Sequence, residues 1–190
     1  NFAPSSIKNV VVNNTAQDIV LKDAAGGNDF YCPREFVALH ISYEHHYSMT
    51  TGIGESRGWE TISLPFDVQM ITHESKGEMI PFVKWNHTSL TKPFWLKELT
   101  GDGWKNAESI KANTPYIISI PNNKNYKEEY QLSGQVRFSS ENVVVSNTDD
   151  IQRINYNGRT FIPTYEAISM GEGWYALNVN NDFYTNNSGV

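Results

Sequence analysis

The chain contains the run Gly58-Trp59-Glu60-Thr61-Ile62-Ser63-Leu64-Pro65-Phe66-Asp67, in which apolar and polar residues alternate. Successive side chains of a strand point to opposite faces, so we expect Ile62, Leu64 and Phe66 to share one face in the core. Pro65 is expected at a strand end or a sheet edge, where its missing N–H costs no ladder hydrogen bond. The run therefore predicts a β-strand with one buried face, and we expect Trp59 to be structural as well.

Similar apolar runs recur along the chain with turn-forming residues between them. We expect strands at residues 7–12, 18–22, 36–47, 79–85, 94–99, 116–120, 131–138, 143–145, 151–156, 159–165, 174–179 and 182–185. Asn157-Gly158 predicts a two-residue hairpin loop, because a type I′ turn needs positive φ at both positions. Helix-period segments are scarce, and residues 107–112 have the pattern of about one turn. The sequence predicts an all-β, mostly antiparallel β-sandwich with at most one or two short helical turns.

The length of 190 residues predicts a single domain over residues 1–190, since domains commonly have about 100–200 residues. A chain of this size can bury a sizeable core without disulfide bonds or structural metal ions. Cys32 is the only cysteine, which excludes an intramolecular disulfide. It lies in the apolar context Phe30-Tyr31-Cys32-Pro33, so we expect a small buried thiol.

Charge and hydropathy exclude two classes of partner. The net charge is −6, and lysines and arginines are scattered singly, so the chain lacks the basic stripe of a nucleic-acid-binding protein. No apolar run approaches the roughly 20 residues that a helix needs to cross a bilayer, so we expect no membrane insertion by this chain.

The histidines near the middle of the long run at 36–47 do not have the spacing of a metal site. Strand alternation places His40, Glu44 and His46 on one face and His45 on the other. His40 and His46 are six positions apart, about 20 Å along an extended strand, so they cannot share one ion. We expect solvated histidines on the strand and neither metal nor cofactor.

No recognisable catalytic constellation occurs in the sequence. It has no Gly-x-Ser-x-Gly elbow and no Gly-Lys-Ser/Thr phosphate loop. Glu98, Asp102 and Glu108 are the carboxylates that could pair for glycoside cleavage, which needs two carboxylates about 5–10 Å apart in a cleft. Turn formation and surface solvation explain them more simply, so we expect no catalytic residues and a protein that is not an enzyme.

Three tryptophans fall within twenty residues and offer a possible ligand site. Trp85, Trp95 and Trp104 are candidate ligand-binding residues, because exposed indoles can stack on sugar faces. The alternative is that they belong to the core, or lie half-buried with their N–H groups bonded at its rim. Coplanar exposed indoles beside paired carboxylates would favour a carbohydrate-active protein, and buried indoles would favour a structural role.

Several motifs, taken in order, resemble a known family. They are Phe30-Tyr31-Cys32-Pro33, Phe36-Val37-Ala38, Ile41-Ser42-Tyr43, the run at 58–66, Ile110-Lys111-Ala112-Asn113-Thr114-Pro115-Tyr116-Ile117-Ile118 and Gly173-Trp174-Tyr175-Ala176-Leu177-Asn178. Together they are similar to β-rich domains near the C-termini of secreted and surface proteins of Bacteroides-type gut bacteria. Those proteins often carry leucine-rich repeats or immunoglobulin-like modules and are described as adhesins or as proteins of unknown function. Ser63 stands where the family often has Cys.

The resemblance implies a non-catalytic module at the cell surface or outside the cell, with an adhesion, display or scaffold role in a larger protein. Its partners would be glycans or another protein. The alternative is a carbohydrate-binding module or carbohydrate-active protein that uses exposed tryptophans. The family pattern continues beyond Val190 with a last strand. We therefore expect a fragment of a longer exported chain that lacks this strand and leaves a sheet edge able to pair with another chain.

Overall fold

The computed structural model describes residues 8–22, 30–48, 50–51, 58–165, 175–177 and 183–185. These residues form β-strands and one short 3-10 helix, Glu128–Tyr130. The prediction of an all-β fold is confirmed. No helix in the described ranges is long and apolar enough to cross a membrane.

Fourteen strands are present in the described parts of the chain. They are β1 (Val11–Val12), β2 (Thr15–Lys22), β3 (Phe36–Tyr47), β4 (Glu60–Ile62), β5 (Met70–His73), β6 (Gly77–Pro81), β7 (Lys92–Thr100), β8 (Gly103–Asn106), β9 (Tyr116–Ser119), β10 (Gly134–Val145), β11 (Ile154–Tyr156), β12 (Arg159–Phe161), β13 (Tyr175–Leu177) and β14 (Phe183–Thr185). The predicted turn at 107–112 is not helical, and the helical turn that the described residues do contain lies at 128–130.

Ten strands form one hydrogen-bonded sheet in the order β1-β2-β3-β10-β5-β6-β7-β9-β4, with β8 also paired to β7. Most pairings are antiparallel, as predicted, but β2–β3 and β6–β7 are parallel, so the sheet is mixed. His45 Nε2 on β3 lies 2.7 Å from Glu60 Oε2 on β4, although these strands are far apart in the sheet order. The two halves of the sheet therefore approach each other, and one apolar core draws on both.

The run at 58–67 is buried as predicted but is a strand over only three residues. Ile62, Leu64 and Phe66 are 7%, 3% and 0% exposed. The strand ends at Ile62 because the next backbone carbonyls bond to distant segments and not to a neighbouring strand. Leu64 O accepts from the N–H of Asn113 at 2.8 Å, and Pro65 O accepts from the N–H of Ser146 at 2.7 Å.

The predicted Asn-Gly hairpin is confirmed. β11 and β12 pair antiparallel around Asn157 and Gly158, whose φ angles are 50° and 73°. Both values lie in the left-handed region that a type I′ turn requires. The hairpin lies against the β7–β8 hairpin, where a Cβ on Gly103 would stand 3.2 Å from the hydroxyl of Tyr156.

Candidate functional site

Strand β7 has an interrupted neighbour along one side, and the interruption forms a notch. β6 pairs with the start of β7, and its continuation ends where Phe82 N–H donates to Phe94 O at 2.8 Å. β8 pairs with the end of β7 and continues to Ala107, whose N–H donates to Leu96 O at 3.0 Å. The two flanking segments diverge between these hydrogen bonds and leave a cavity of about 240 Å³.

We call this cavity the β7 notch. Its lining consists of Phe82, Val83, Trp95, Leu96 and Asn106. Phe82 and Val83 remain 42% and 48% exposed, so the notch opens to solvent beside an apolar surface. Asn106, at the end of β8, is the polar residue of the lining.

Five aromatic side chains surround one side of the notch and are called the aromatic cluster here: Phe82, Trp85, Trp95, Tyr126 and Tyr130. The Phe82 and Trp95 rings are parallel within 2°, with centroids 5.6 Å apart. Trp85 lies 5.5 Å from Phe82 at a tilt of 53°, and it meets Tyr130 edge-on at 6.0 Å. Tyr126 lies 6.5 Å from Trp95. Offset and edge-on pairs at these distances stabilise one another.

Hydrogen bonding anchors the cluster at its edge. Trp85 Nε1 donates to the carbonyl of Thr91 at 3.1 Å, which fixes the indole between the end of β6 and the start of β7. The ammonium of Lys92 stands 5.4 Å from the centre of the Tyr130 ring, a cation–π geometry. Both contacts make the cluster a preorganised surface.

An ion pair lies next to the notch. Lys84 Nζ is 3.3 Å from Glu108 Oε2, and these residues follow closely after Val83 and Asn106 of the lining. The pair joins the two segments that diverge around the notch. Because the positive charge of Lys84 and the negative charge of Glu108 offset each other, this pair makes the rim of the notch polar but adds no net charge to it.

The structure brings two of the three candidate tryptophans together and separates the third. Trp85 and Trp95 are half-buried and both contact Phe82. They are not coplanar, because Trp95 is parallel to Phe82 whereas Trp85 is tilted from it. Trp104 is 37% exposed and lies on β8 against Phe161, with centroids 6.2 Å apart. Whether these tryptophans bind a ligand stays a prediction.

The candidate carboxylates have lysine neighbours in the described structure. Glu108 pairs with Lys84, and Asp102 Oδ2 accepts from Lys105 Nζ at 2.7 Å, a contact that lowers the pKa of Asp102. Glu98 lies opposite Lys105 in the β7–β8 ladder. Each candidate carboxylate therefore faces a lysine, Lys84 for Glu108 and Lys105 for both Asp102 and Glu98.

The histidines of β3 do not converge. His40 Nδ1 lies 3.6 Å from Glu141 Oε1 at the surface, while His45 bonds to Glu60 and is only partly exposed. His45 is therefore less solvated than expected, because Glu60 of β4 lies against its ring. No group of three or more metal-ligating side chains occurs among the described residues.

A polar cluster built on Asn113 lies beneath the surface. Its side-chain oxygen accepts from the hydroxyl of Tyr165 at 2.9 Å, and its amide donates to Asn147 O at 2.8 Å. Ser63 Oγ lies 3.0 Å from the same Tyr165 oxygen. Burial raises the pKa of Tyr165 to about 12, although its hydrogen bonds partly oppose the shift. Tyr165 is thus protonated at neutral pH and cannot act as a base toward Ser63.

Cys32 is buried, as predicted, and unreactive in its surroundings. It is 5% exposed, and its Sγ donates to the carbonyl of Arg34 at 3.0 Å. Burial raises the pKa of the thiol despite this hydrogen bond.

A groove of about 1090 Å³ lies along β2 and residues 30–36 beside Cys32. The chain segments adjoining its lining, 1–7 and 23–29, lie outside the described residues.

Alkaline pH is expected to destabilise the fold through Tyr165. Its pKa is about 12 when folded and about 10 when unfolded, so above pH 10 the unfolded chain releases a proton that the folded chain retains. Stability then falls as pH rises from 10 to 12, by roughly 2–3 kcal/mol. Urea unfolding at pH 8, 10 and 11 measures the loss.

Tyr165→Phe should flatten this alkaline decline, leaving a smaller slope from Tyr116, whose pKa burial also raises. Tyr31→Phe is the matched control because Tyr31 is 58% exposed. An alkaline decline that is equally steep in Tyr165→Phe and in the unsubstituted chain would contradict the assignment.

Sequence reasoning missed Phe82, Tyr126, Tyr130 and Asn106. Phe82 was included in a strand expected at 79–85, but β6 ends at Pro81 and Phe82 begins a turn. The available signal was the density of aromatics in Phe82-Val83-Lys84-Trp85, which ends in one of the candidate tryptophans. Tyr126 follows an Asn-rich loop and Tyr130 ends the 3-10 helix after it, and the sequence does not identify the partner of either residue.

Comparisons with known proteins do not extend this description. No family model matches the chain, and neither a search of curated proteins nor one of solved structures found a match. The resemblance to surface-protein domains of Bacteroides-type bacteria therefore stays a prediction.

Proposed function

We propose that this chain is a non-catalytic binding module of a larger exported protein, with an adhesion, display or scaffold role at the outer cell surface. The β7 notch beside the aromatic cluster is the observation that carries the proposal. Partly exposed aromatic side chains in a preformed arrangement are typical of recognition surfaces. The partner would be a glycan or another protein outside the cell.

The local chemistry supports a binding role over catalysis. Asp102 and Glu108 pair with lysines, Tyr165 keeps its proton to about pH 12, and burial keeps the Cys32 thiol protonated. Catalytic acids and bases need pKa values near the working pH. Asp67 is also held ionised: burial would raise its pKa, but the hydrogen bonds from Lys111 and the Ala112 N–H outweigh that effect and lower it.

The surface location rests on the family resemblance and on composition. Only 19% of the residues are charged and the net charge is −6, so neutral polar residues must supply much of the solubility and a nucleic-acid partner is disfavoured. Asn-rich turns such as residues 122–125 agree with the surface-protein family that the motifs resemble.

Two measurements test this function. Antibodies raised against the purified domain should label intact cells that produce the parent protein, and protease treatment of those cells should remove the label. Labelling that appears only after lysis would overturn the surface location. A panel of 4-nitrophenyl glycosides, esters and phosphates should show no turnover above buffer. Turnover that co-purifies with the domain and disappears on a single substitution would overturn the non-catalytic assignment.

A further inference from the structure

We propose that the β7 notch is a binding site for a neutral saccharide, with one sugar ring seated among Phe82, Trp95 and Asn106. This inference rests on the proposed binding function and names its ligand class. The inference assigns Phe82 and Asn106 to the site together with Trp95, whereas the sequence offered only tryptophans as candidates.

The lining of the notch has the mixed character that a sugar ring requires. A pyranose presents an apolar C–H face and a polar edge of hydroxyl groups. Phe82, Trp95, Val83 and Leu96 supply apolar and aromatic surface on the notch walls. Asn106 supplies an amide that can both donate to and accept from hydroxyl groups. Few polar groups in a mainly apolar pocket fix the orientation of a small ligand.

The charge around the notch favours a neutral ligand. Lys84 and Glu108, the charged pair beside the lining, neutralise each other at 3.3 Å. Lys92, on the far side of the aromatic cluster, is engaged with the Tyr130 ring. An acidic glycan would need an uncompensated cation at the notch, and a basic peptide would need an uncompensated carboxylate. Hydroxyl groups can share hydrogen bonds with Lys84 and Glu108 without breaking their charge balance.

The dimensions favour a small ligand over a second copy of the chain. The notch has a volume of about 240 Å³ and five lining residues. A stable protein–protein interface uses roughly 20–30 residues on each side. The notch also has a structural origin in the divergence of two strands from β7, so its shape does not depend on a flexible loop alone.

An array of immobilised oligosaccharides tests the proposal with the intact domain. It carries neutral chains of glucose, galactose, mannose, fucose and N-acetylglucosamine, together with sialylated and sulfated counterparts of the same chains. We expect binding to at least one neutral chain, confirmed in solution by a change in tryptophan fluorescence. Acidic counterparts should bind no more tightly than the neutral parent.

Three variants locate the site. Phe82→Ala removes an aromatic wall and should weaken binding of the neutral chain at least tenfold. Asn106→Trp fills the notch from an exposed position, so it should fold normally and abolish binding. Trp104→Ala removes a partly exposed indole outside the notch and should leave affinity within twofold. Circular dichroism and thermal midpoints establish that each variant is folded, and Asn106→Trp keeps the test decisive if Phe82→Ala is unstable.

Several outcomes would overturn the saccharide site. They are no binding to any neutral chain, binding to acidic chains alone, loss of binding in Trp104→Ala but not in Asn106→Trp, or a doubling of mass in light scattering that Asn106→Trp removes. A negative array with positive labelling of intact cells would refute the saccharide ligand alone. Negative cell labelling would instead refute the surface function from which the inference starts.

Discussion

Leu64→Ala is expected to lower the free energy of unfolding by about 2–5 kcal/mol, because a buried leucine loses its transfer energy and leaves a cavity. Leu64 is 3% exposed, and its neighbours Pro65 and Phe66 are among the most deeply buried residues. The backbone there is held by the Asn113 N–H on Leu64 O and the Ser146 N–H on Pro65 O. These restraints limit collapse around the missing side chain, which places the cost toward the upper part of the range. Urea denaturation at neutral pH measures the change.

Leu90→Ala is the matched control, since it deletes the same atoms from a side chain that is 93% exposed. Its effect should stay within about 0.5 kcal/mol. A midpoint for Leu64→Ala that equals the midpoint for Leu90→Ala would remove the basis for placing residues 62–66 in the core.

The sequence predicts burial at 62–66 better than it predicts strand extent. Alternation correctly placed Ile62, Leu64 and Phe66 in the core, because side-chain hydrophobicity determines burial directly. The strand stops at Ile62 because carbonyls further along bond to Asn113 and Ser146, and such distant partners leave no local signal. Tertiary hydrogen bonds therefore decide where this strand ends.

Two strands escaped prediction for different reasons. β5 (Met70–His73) buries Ile71 and His73, and a polar histidine in the core hides the expected apolar alternation. β8 (Gly103–Asn106) begins at the last residue of the turn-forming sequence Gly101-Asp102-Gly103, and only Gly103 of the strand is buried. β8 pairs with β7 through a tight hairpin, and the sequence of β8 shows little apolar alternation.

The notch could not be predicted because it depends on sheet order. Trp85 and Trp95 were recognisable as candidates from composition, but the contact of Trp95 with Phe82 requires the parallel pairing of β6 with β7. A parallel pair joins residues through a connection whose path the local sequence does not encode. Tyr130, at the end of the 3-10 helix, contacts Trp85 although the two residues are more than forty positions apart in sequence. The local sequence supplied candidate residues, and the topology determined which of them meet.

Asn113→Ala is expected to cost about 2–4 kcal/mol, since it removes two buried hydrogen bonds and keeps a left-handed backbone that alanine disfavours. Asn113 is 4% exposed and has a φ of 56°. Its side chain connects Tyr165 to Asn147, while its backbone connects Leu64 to Gln152. One residue therefore connects Leu64 of the run at 58–67 to Tyr165 and to the segment 147–152, and truncation leaves the Tyr165 hydroxyl and the Asn147 carbonyl without these partners.

Asn113→Gly separates the two contributions, because glycine loses the same side-chain hydrogen bonds but adopts the left-handed conformation without steric cost. We expect it to be more stable than Asn113→Ala by roughly 1 kcal/mol. Equal stabilities of the two variants would show that the left-handed backbone at this position carries no penalty. Surface substitutions ordinarily change the free energy of unfolding by no more than about 0.5 kcal/mol. If both variants stay within that range of the unsubstituted chain, the Asn113 network has no role in holding these segments together.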